Sequence, residues 1–142
     1  MTRGKKIAGR KRHIVVDTLG LLWSLVITPA CVQDRDGGQR ALHVFRERVR
    51  FPKVIWADQA YAALVSWALV KWLWCVELVK RPTGRFEVQP KRWIVERTFG
   101  WLAHARRLSK DYEYLPATSE VMVSVAMIRL MLKRLAQTRA AV

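Results

Sequence analysis

Residues 53 to 79 read KVIWADQAYAALVSWALVKWLWCVELV, and this stretch decides the fold class. The apolar run at 53–57 has the length and composition of a buried strand, and it ends at Asp58. A helix is predicted next, because apolar side chains recur at helical spacing. These side chains are Tyr61, Val65, Ala68 and Trp72. A second apolar run at 74–79 predicts another strand, and a strand, a helix and a strand in direct succession favour an α/β fold.

Upstream of this stretch, the sequence predicts a β-hairpin and a short helix. Two apolar runs at 13–16 and 21–27 are separated by a four-residue turn with glycine last, and Pro29 closes the hairpin. A turn-like segment at 34–38 follows. An amphipathic helix then runs until Pro52, and its apolar residues are Leu42, Phe45 and Val49.

Downstream, the sequence predicts a loop containing Pro82, Gly84 and Pro90, and then two helices. The first helix covers 91–108. The second covers 118–136 and has an apolar stripe that we expect to pack in the core, with a helix-mediated dimer contact as the alternative. The stripe comprises Val121, Val125, Ile128, Leu132 and Leu135.

The expected fold is one α/β domain with a mixed sheet and flanking helices, spanning 1–142. Its predicted parts are a basic loop and hairpin at 4–28, a strand at 53–58, and the helices at 91–108 and 118–136. Three clear strands make a thin sheet for this many helices. We therefore expect upstream sequence to supply another strand.

The chain carries a large positive charge. Twenty-six Lys and Arg residues against 11 Asp and Glu give a net charge of +15 in 142 residues, which favours a polyanionic partner such as nucleic acid. One basic stretch runs from 80 to 110. An opening cluster has six cations and no acid, and we interpret it as a phosphate contact, with a solvated loop as the alternative. The opening cluster comprises Arg3, Lys5, Lys6, Arg10, Lys11 and Arg12.

Zinc binding and membrane insertion are both disfavoured by the sequence. Cys31 and Cys75 lie in apolar runs without ligand spacing, so we expect reduced, buried thiols. The apolar stretch at 61–79 contains Lys71 and Glu77, and each charge would cost roughly 2.5 to 3.5 kcal/mol near a bilayer centre. A cytoplasmic protein is therefore expected.

Asp58 and Glu96 are the candidate chemical residues. Asp58 ends the predicted central strand, where ligand sites of α/β sheets gather, although a turn or helix-capping role is the alternative. Glu96 shares a predicted helical face with small residues that leave room for a metal and a phosphate. The alternative is an exposed ion pair with Arg92, worth a few tenths of a kcal/mol. The other members of this face are Gly100, Ala103 and Arg107.

Two carboxylates on separate elements suit Mg²⁺, a hard cation that binds oxygen ligands and is often shared with substrate phosphates. Two such ions could activate the attacking oxygen and stabilise the leaving oxygen in phosphodiester cleavage. The residues alone therefore indicate a basic, metal-dependent nucleic-acid protein.

Three blocks of the chain resemble insertion-sequence transposases of the IS-five family in order and spacing, over nearly the whole length. The first block comprises GKK at 4–6, GRKRH at 9–13 and VDTLG at 16–20; the second comprises VQDRD at 32–36 and WADQAY at 56–61; the third comprises RWIVERTFGWL at 92–102 and RRL at 106–108.

The resemblance implies an RNase H-like fold whose DDE triad holds two divalent ions, Mg²⁺ or Mn²⁺. Such an enzyme cuts DNA at the element ends and joins the freed 3′-hydroxyl to target DNA. By position, Asp58 matches the second acid, Glu96 the third, and Arg92 the arginine four residues earlier. The cations implied near phosphates are Lys5, Lys6, Arg10, Lys11, Arg12, Arg92, Arg97, Arg106 and Arg107.

The chain departs from the family's pattern at three points. Gln89 stands where some relatives have tyrosine, and Ala103 stands where relatives have a lysine, a contact that Arg106 and Arg107 are expected to replace. The family's first aspartate lies on a strand upstream of the basic loop and would precede Met1. Its replacement from within the chain is not expected, because Asp17 lies in the hairpin turn and two other candidates lie in a predicted loop. Those candidates are Asp34 and Asp36.

The resemblance therefore implies the carboxy-terminal part of a transposase, incomplete at its N-terminal strand and inactive alone. Such a chain could arise from a second reading frame, from an internal translation start or as the remnant of a decayed gene. The implied partners are duplex DNA, at terminal inverted repeats and target sites, an upstream-frame polypeptide and a second copy, in the nucleoid of a bacterial cytoplasm. The alternatives are a non-catalytic DNA-binding fragment that regulates the full-length enzyme, and a protein that binds RNA or assembles with partners.

Overall fold

The computed structural model describes residues 9–79 and 91–140, excluding the side chains of Arg92 and 138–140. The predicted order of elements is confirmed in these ranges. The strands are β1 (Arg10–Val16), β2 (Leu22–Pro29), β3 (Ile55–Ala57) and β4 (Val76–Leu78). The helices are α1 (Asp34–Arg48), α2 (Ala63–Trp72), α3 (Arg92–Ala103) and α4 (Pro116–Ala140), with short 3-10 helices at Gln59–Tyr61 and Arg106–Leu108. The predicted loop at 82–90 and the start of the basic loop lie outside the described residues.

β1 and β2 form the predicted antiparallel hairpin, with Arg10 opposite Pro29. Asp17 builds the turn, because its Oδ1 accepts hydrogen bonds from the backbone N–H groups of Leu19 and Leu21 at 2.8 and 2.9 Å. Gly20 has a φ of 79°, a conformation that favours glycine. Asp17 therefore has a structural role in the turn, as the sequence indicates.

The prediction of a loop at 34–38 is wrong, because α1 begins at Asp34. Its two glycines permit close packing. A Cβ at Gly37 would lie 2.1 Å from His13 Nε2, and one at Gly38 would lie 2.7 Å from a methyl group of Leu64. Asp34 and Asp36 occupy the first helical turn, where the helix dipole favours negative charge.

The expectation of one mixed sheet is only partly met among the described residues. β3 and β4 form a parallel pair, with Ile55 opposite Val76, and this pair is separate from the antiparallel hairpin. One core cluster nevertheless packs against both sheets, since it contacts Val15 of β1 as well as Ile55 and Ala57 of β3. Its buried members are Leu42, Phe45, Leu64, Ala68, Trp72, Trp74 and Val76.

A second core cluster lies between the hairpin, α3 and α4. Its buried members are Leu102, Leu108, Val123 and Met127, and Leu22 and Leu25 of β2 pack against it. The prediction that the stripe from Val121 to Leu135 packs in this core is wrong, because all five of its side chains are exposed. The opposite face of α4 is buried instead, through Ser119, Val123 and Met127. The prediction of buried thiols also fails, because Cys31 and Cys75 are exposed.

The predicted helix at 91–108 ends early, at Ala103. His104 Nδ1 lies 2.7 Å from the Gly100 carbonyl oxygen at the end of the helix, and Ala105 is extended with φ of −78° and ψ of 110°. This bend lets Leu108 enter the second cluster. No helix within 9–79 and 91–140 is both long and apolar enough to cross a membrane.

Candidate functional site

Asp58 lies at the carboxyl end of β3, where the sequence places it, and it also caps a short helix. Its Oδ1 accepts a hydrogen bond from the Gln59 N–H at 2.6 Å, and its carbonyl oxygen accepts one from the Tyr61 N–H at 2.9 Å. The residue is only partly buried. Asp58 therefore has the helix-capping role that was the alternative, and its carboxylate remains accessible.

The side chains of β3 alternate between two faces. Ile55 and Ala57 pack against the first core cluster. The backbone remains extended at Asp58, with φ of −74° and ψ of 162°, so Trp56 and Asp58 project from the other face.

A lysine side chain just before α3 contacts this second face of β3. Lys91, the residue before α3, places its Nζ 4.1 Å from the centre of the Trp56 ring, a cation–π geometry. Trp56 Nε1 donates to Glu77 Oε2 at 2.9 Å, which fixes the indole. The helix that carries Glu96 therefore begins beside the strand that carries Asp58.

Glu96 is exposed one turn into α3 and has an interaction partner. One turn further on, a Cβ added at Gly100 would meet no atom within 4 Å, so space is open there, as the sequence analysis expects. Arg107 does not share this face, because α3 ends before it and its Nε pairs with Glu113 Oε1 at 2.8 Å. The side chain of Arg92 lies outside the described residues.

The opposite face of α3 attaches the helix to the hairpin turn. Thr98 is fully buried, and its Oγ1 lies 2.9 Å from the Gly20 carbonyl oxygen. The Arg97 guanidinium lies 4.1 Å from the Trp93 ring centre and 4.7 Å from that of Trp101. Arg97 is thus held between two indoles, and this stacking leaves it poorly placed for the phosphate contact implied by the resemblance.

A buried histidine joins the hairpin to the Asp58 turn. His13 Nδ1 lies 2.9 Å from Tyr61 Oη, and its Nε2 lies 3.0 Å from Thr28 Oγ1. Burial lowers the pKa of His13 below 6.5, against the opposing effect of Asp34. Burial, together with Asp34 and Asp58, raises the pKa of Tyr61 to about 12. Both groups are therefore neutral at pH 7.

Sequence reasoning missed this connection. Only the tyrosine of the WADQAY block signals it, and its histidine partner is 48 residues away.

Three cations of the opening cluster are committed to internal contacts. Arg10 bonds Asp111 Oδ2 at 3.1 Å, Ser119 Oγ at 3.0 Å, and the backbone carbonyl oxygens of Glu113 and Tyr114. Lys11 pairs with Asp34 at 2.9 Å, and Arg12 donates to the Leu108 carbonyl oxygen at 3.2 Å. Lys5 and Lys6 lie outside the described residues.

Arg10 also affects the pKa of its partner Asp111. Partial burial acts to raise the pKa of Asp111, but hydrogen bonds from Ser119 and the Glu113 N–H, together with Arg10, lower that pKa below its usual value.

Some of the exposed cations lie around the second 3-10 helix. Arg106 and Lys110 are exposed. A groove of about 500 Å³ separates this helix from the start of β1, and its walls include Arg12, Phe99, Ser109 and Lys110. Of the cations that line this groove, Lys110 is the one that is exposed.

The family model described as "Transposase DDE domain" matches residues 1–131. The chain belongs to the DDE transposase family. No curated protein and no solved structure shows a significant match to it. The general function of this family is transposition. Its members act on DNA, through nuclease and transesterase reactions.

Transposases of this family generally use divalent metals. Asp58 and Glu96 supply oxygen donors of the type that Mg²⁺ prefers. Within the part of the chain that the structure describes, no three His, Cys, Asp or Glu side chains form a group that could hold a metal. The two carboxylates therefore fit such a metal in their chemistry.

Proposed function

We propose that this chain provides two metal-binding carboxylates, Asp58 and Glu96, to the catalytic site of an IS-five insertion-sequence transposase. The main support is the contact between Lys91 and Trp56, because it brings the start of α3 beside the face of β3 from which Asp58 projects. Mg²⁺ or Mn²⁺ bound by such carboxylates would stabilise the charge of the reacting phosphate. The RNase H-like arrangement of the complete domain is part of the same proposal.

The proposed reaction has two balanced steps. Water attacks a phosphorus at the element end, the bond to the 3′ oxygen breaks, and that oxygen takes up a proton. The freed 3′-hydroxyl then attacks a phosphorus of target DNA, loses its proton, and displaces the 3′ oxygen of the target strand. In both steps, Asp58 and Glu96 would bind the metal. Arg92 and Arg106 are the cations that we place near the phosphates.

An upstream polypeptide is the proposed partner that completes the site. β1 and β3 pack on one core cluster but belong to separate two-stranded sheets. Ile55 and Ala57 direct their ladder hydrogen bonds toward β4, so the backbone groups of Trp56 point to the other edge of β3, which no described strand covers. An added strand at this edge would place a further carboxylate near Asp58.

The test is metal-dependent nicking of DNA that contains the element's terminal repeat. The chain alone is compared with the chain fused to its upstream reading frame, in Mn²⁺. Activity is expected in the fusion only, and Asp58→Asn and Glu96→Gln should each abolish it. Glu47→Gln removes an exposed carboxylate of α1 and serves as the matched control, which should keep full activity.

Three results would contradict the proposal. Full activity in Asp58→Asn or Glu96→Gln would exclude that carboxylate as a ligand. Activity in the chain alone would show that no upstream strand is needed.

A non-catalytic DNA-binding fragment that regulates the full-length transposase is the second candidate. It is favoured by the net charge of +15, which attracts DNA whether or not a metal site is complete. Inactivity of the fusion, together with tight binding of the chain to terminal-repeat DNA, would support this role in place of the first.

A further inference from the structure

Basic and aromatic side chains meet where the carboxyl ends of α1 and α2 lie together. Lys71 of α2 places its Nζ 3.2 Å from His43 Nε2 of α1. The same Nζ lies 5.6 Å from the centre of the Trp72 ring, and the Arg46 guanidinium lies 5.0 Å from that centre. These four side chains form the α1–α2 cluster. Trp72 is buried within it, and the other three members are exposed to solvent.

The α1–α2 cluster is rich in hydrogen-bond donors. Among the residues that the structure describes, neither Arg46 nor Lys71 forms an ion pair. Trp72 Nε1 is buried and has no hydrogen-bond partner in the same part of the chain. A buried donor without an acceptor is unfavourable. A ligand with several acceptor oxygens would therefore complement these side chains.

The electrostatics of the cluster also favour an anion. The pKa of His43 is lowered, first by burial and then by the charges of Lys71 and Arg46, against the opposing effect of Glu47. Both cations therefore act on the imidazole, and an anion bound between them would offset their repulsion. Three further exposed cations follow in the chain before β3, and they are Arg48, Arg50 and Lys53.

The α1–α2 cluster lies at the opposite end of β3 from Asp58. β3 and β4 are parallel and α2 connects them, so the carboxyl end of α2 lies near the amino ends of both strands. The Ile55 N–H donates to the Cys75 carbonyl oxygen at 2.9 Å, and Trp74 Nε1 donates to the Arg50 carbonyl oxygen at 3.0 Å. The strand path from Ile55 to Asp58 is about 10 Å long. An anion at the cluster is thus distinct from a phosphate that reacts beside Asp58.

We propose that the α1–α2 cluster binds a backbone phosphate of DNA at a position away from the reacting phosphate. Lys71 and Arg46 supply positive charge, and His43 adds an N–H donor. DNA is the polyanion on which the family acts, which selects it over other anions. The inference rests on that substrate alone. It can therefore fail or succeed independently of the metal ligands proposed above.

The first test is fluorescence anisotropy with a labelled DNA duplex, in EDTA so that metal binding has no part. Lys71→Gln should weaken binding about fivefold and lower the slope of log affinity against log salt by about 0.9. Lys71→Arg keeps the charge and should retain most of the affinity. Lys133→Gln is the matched control. It removes the same charge from an exposed lysine of α4, and it should leave both quantities nearly unchanged.

The NMR signals of the histidine rings give a second readout that is specific to the cluster. Bound duplex should raise the pKa of His43, because a phosphate offsets the charges of Lys71 and Arg46. His43→Gln assigns the signal, and the buried His13 should titrate as it does without DNA.

Three results would overturn the proposal. The first is an equal loss of affinity in Lys71→Gln and Lys133→Gln, which would indicate only the general charge of the chain. The second is an unchanged pKa of His43 when duplex is bound. The third is a rise of that pKa with inorganic phosphate while Lys71→Gln binds DNA normally, which would identify a free anion as the ligand.

Discussion

His13 shows how much a single side chain contributes to the position of Asp58. It connects β1 to Tyr61, and the N–H of Tyr61 closes the turn that begins at Asp58. The absence of a side chain at Gly37 makes room for its imidazole. The sequence predicts that His13 lies in a strand and Gly37 in a loop. Neither position carries a local pattern that signals their contact, because the contact depends on how α1 packs against the hairpin.

Acidification should destabilise the protein through His13. Its folded-state pKa lies below 6.5, so as the pH falls through 6.5 the unfolded chain takes up a proton that the folded chain resists. The contribution is therefore complete above pH 6.5 and is lost progressively below it. Urea denaturation at pH 7.5 and 5.5 should show a fall in the free energy of unfolding, and His13→Gln should reduce that fall.

The control for this prediction is His43→Gln. The pKa of His43 is also lowered, by burial and then by Lys71, but its ring is exposed and does not contact the Asp58 turn. The fall that His13 causes should persist in this variant. An unchanged pH dependence in His13→Gln would mean that His13 has the same pKa in the folded and unfolded states.

At the level of elements, β1 and α4 are connected by one arginine. Arg10 reaches across from the first strand to the segment that leads into α4, where it bonds Asp111 and Ser119. The charge pattern predicts a phosphate contact for Arg10, because it does not reveal an acid 101 residues away. The same limit applies to Lys11 and Asp34. Internal ion pairs therefore account for part of the cationic cluster.

Arg10→Ala should destabilise the fold by about 2 kcal/mol, because it removes several charge-assisted hydrogen bonds at once. Arg106→Ala removes an exposed cation and should change stability by no more than about 0.5 kcal/mol. Urea denaturation of the two variants at pH 7 measures the difference. Equal stabilities would show that the Arg10 contacts contribute nothing to the folded state.

At the scale of the whole molecule, net charge and accessible charge differ. The chain has 26 cationic residues, but Arg10, Lys11 and Arg97 are held in internal contacts. DNA binding is therefore expected to depend on exposed cations such as Arg106 and Lys110 of the second 3-10 helix and the residues after it. These cations can bind phosphates whether or not the metal site is complete.

Affinity for duplex DNA should fall steeply with salt, because phosphate contacts release counterions. In a gel-shift series between 50 and 200 mM salt, Arg106→Ala should reduce the slope of log affinity against log salt by about 0.9. Arg10→Ala should leave the slope nearly unchanged. A flat response of the unmodified chain would contradict DNA binding through phosphates, and preference for RNA over DNA would favour the RNA-binding alternative.

The sequence alone is sufficient to predict the order of strands and helices, the turn at Asp17, and the position of Asp58 at the end of β3. These features depend on residues within a few positions of each other, so local periodicity and turn chemistry contain the information. The face of α4 that is buried was decided by the tertiary structure. Both faces of this helix carry apolar residues. Val123 and Met127 are buried because they pack against the hairpin and α3, whereas the stripe from Val121 to Leu135 has no such surface beside it in the described residues. Burial depends on segments distant in sequence, which periodicity within one helix does not report.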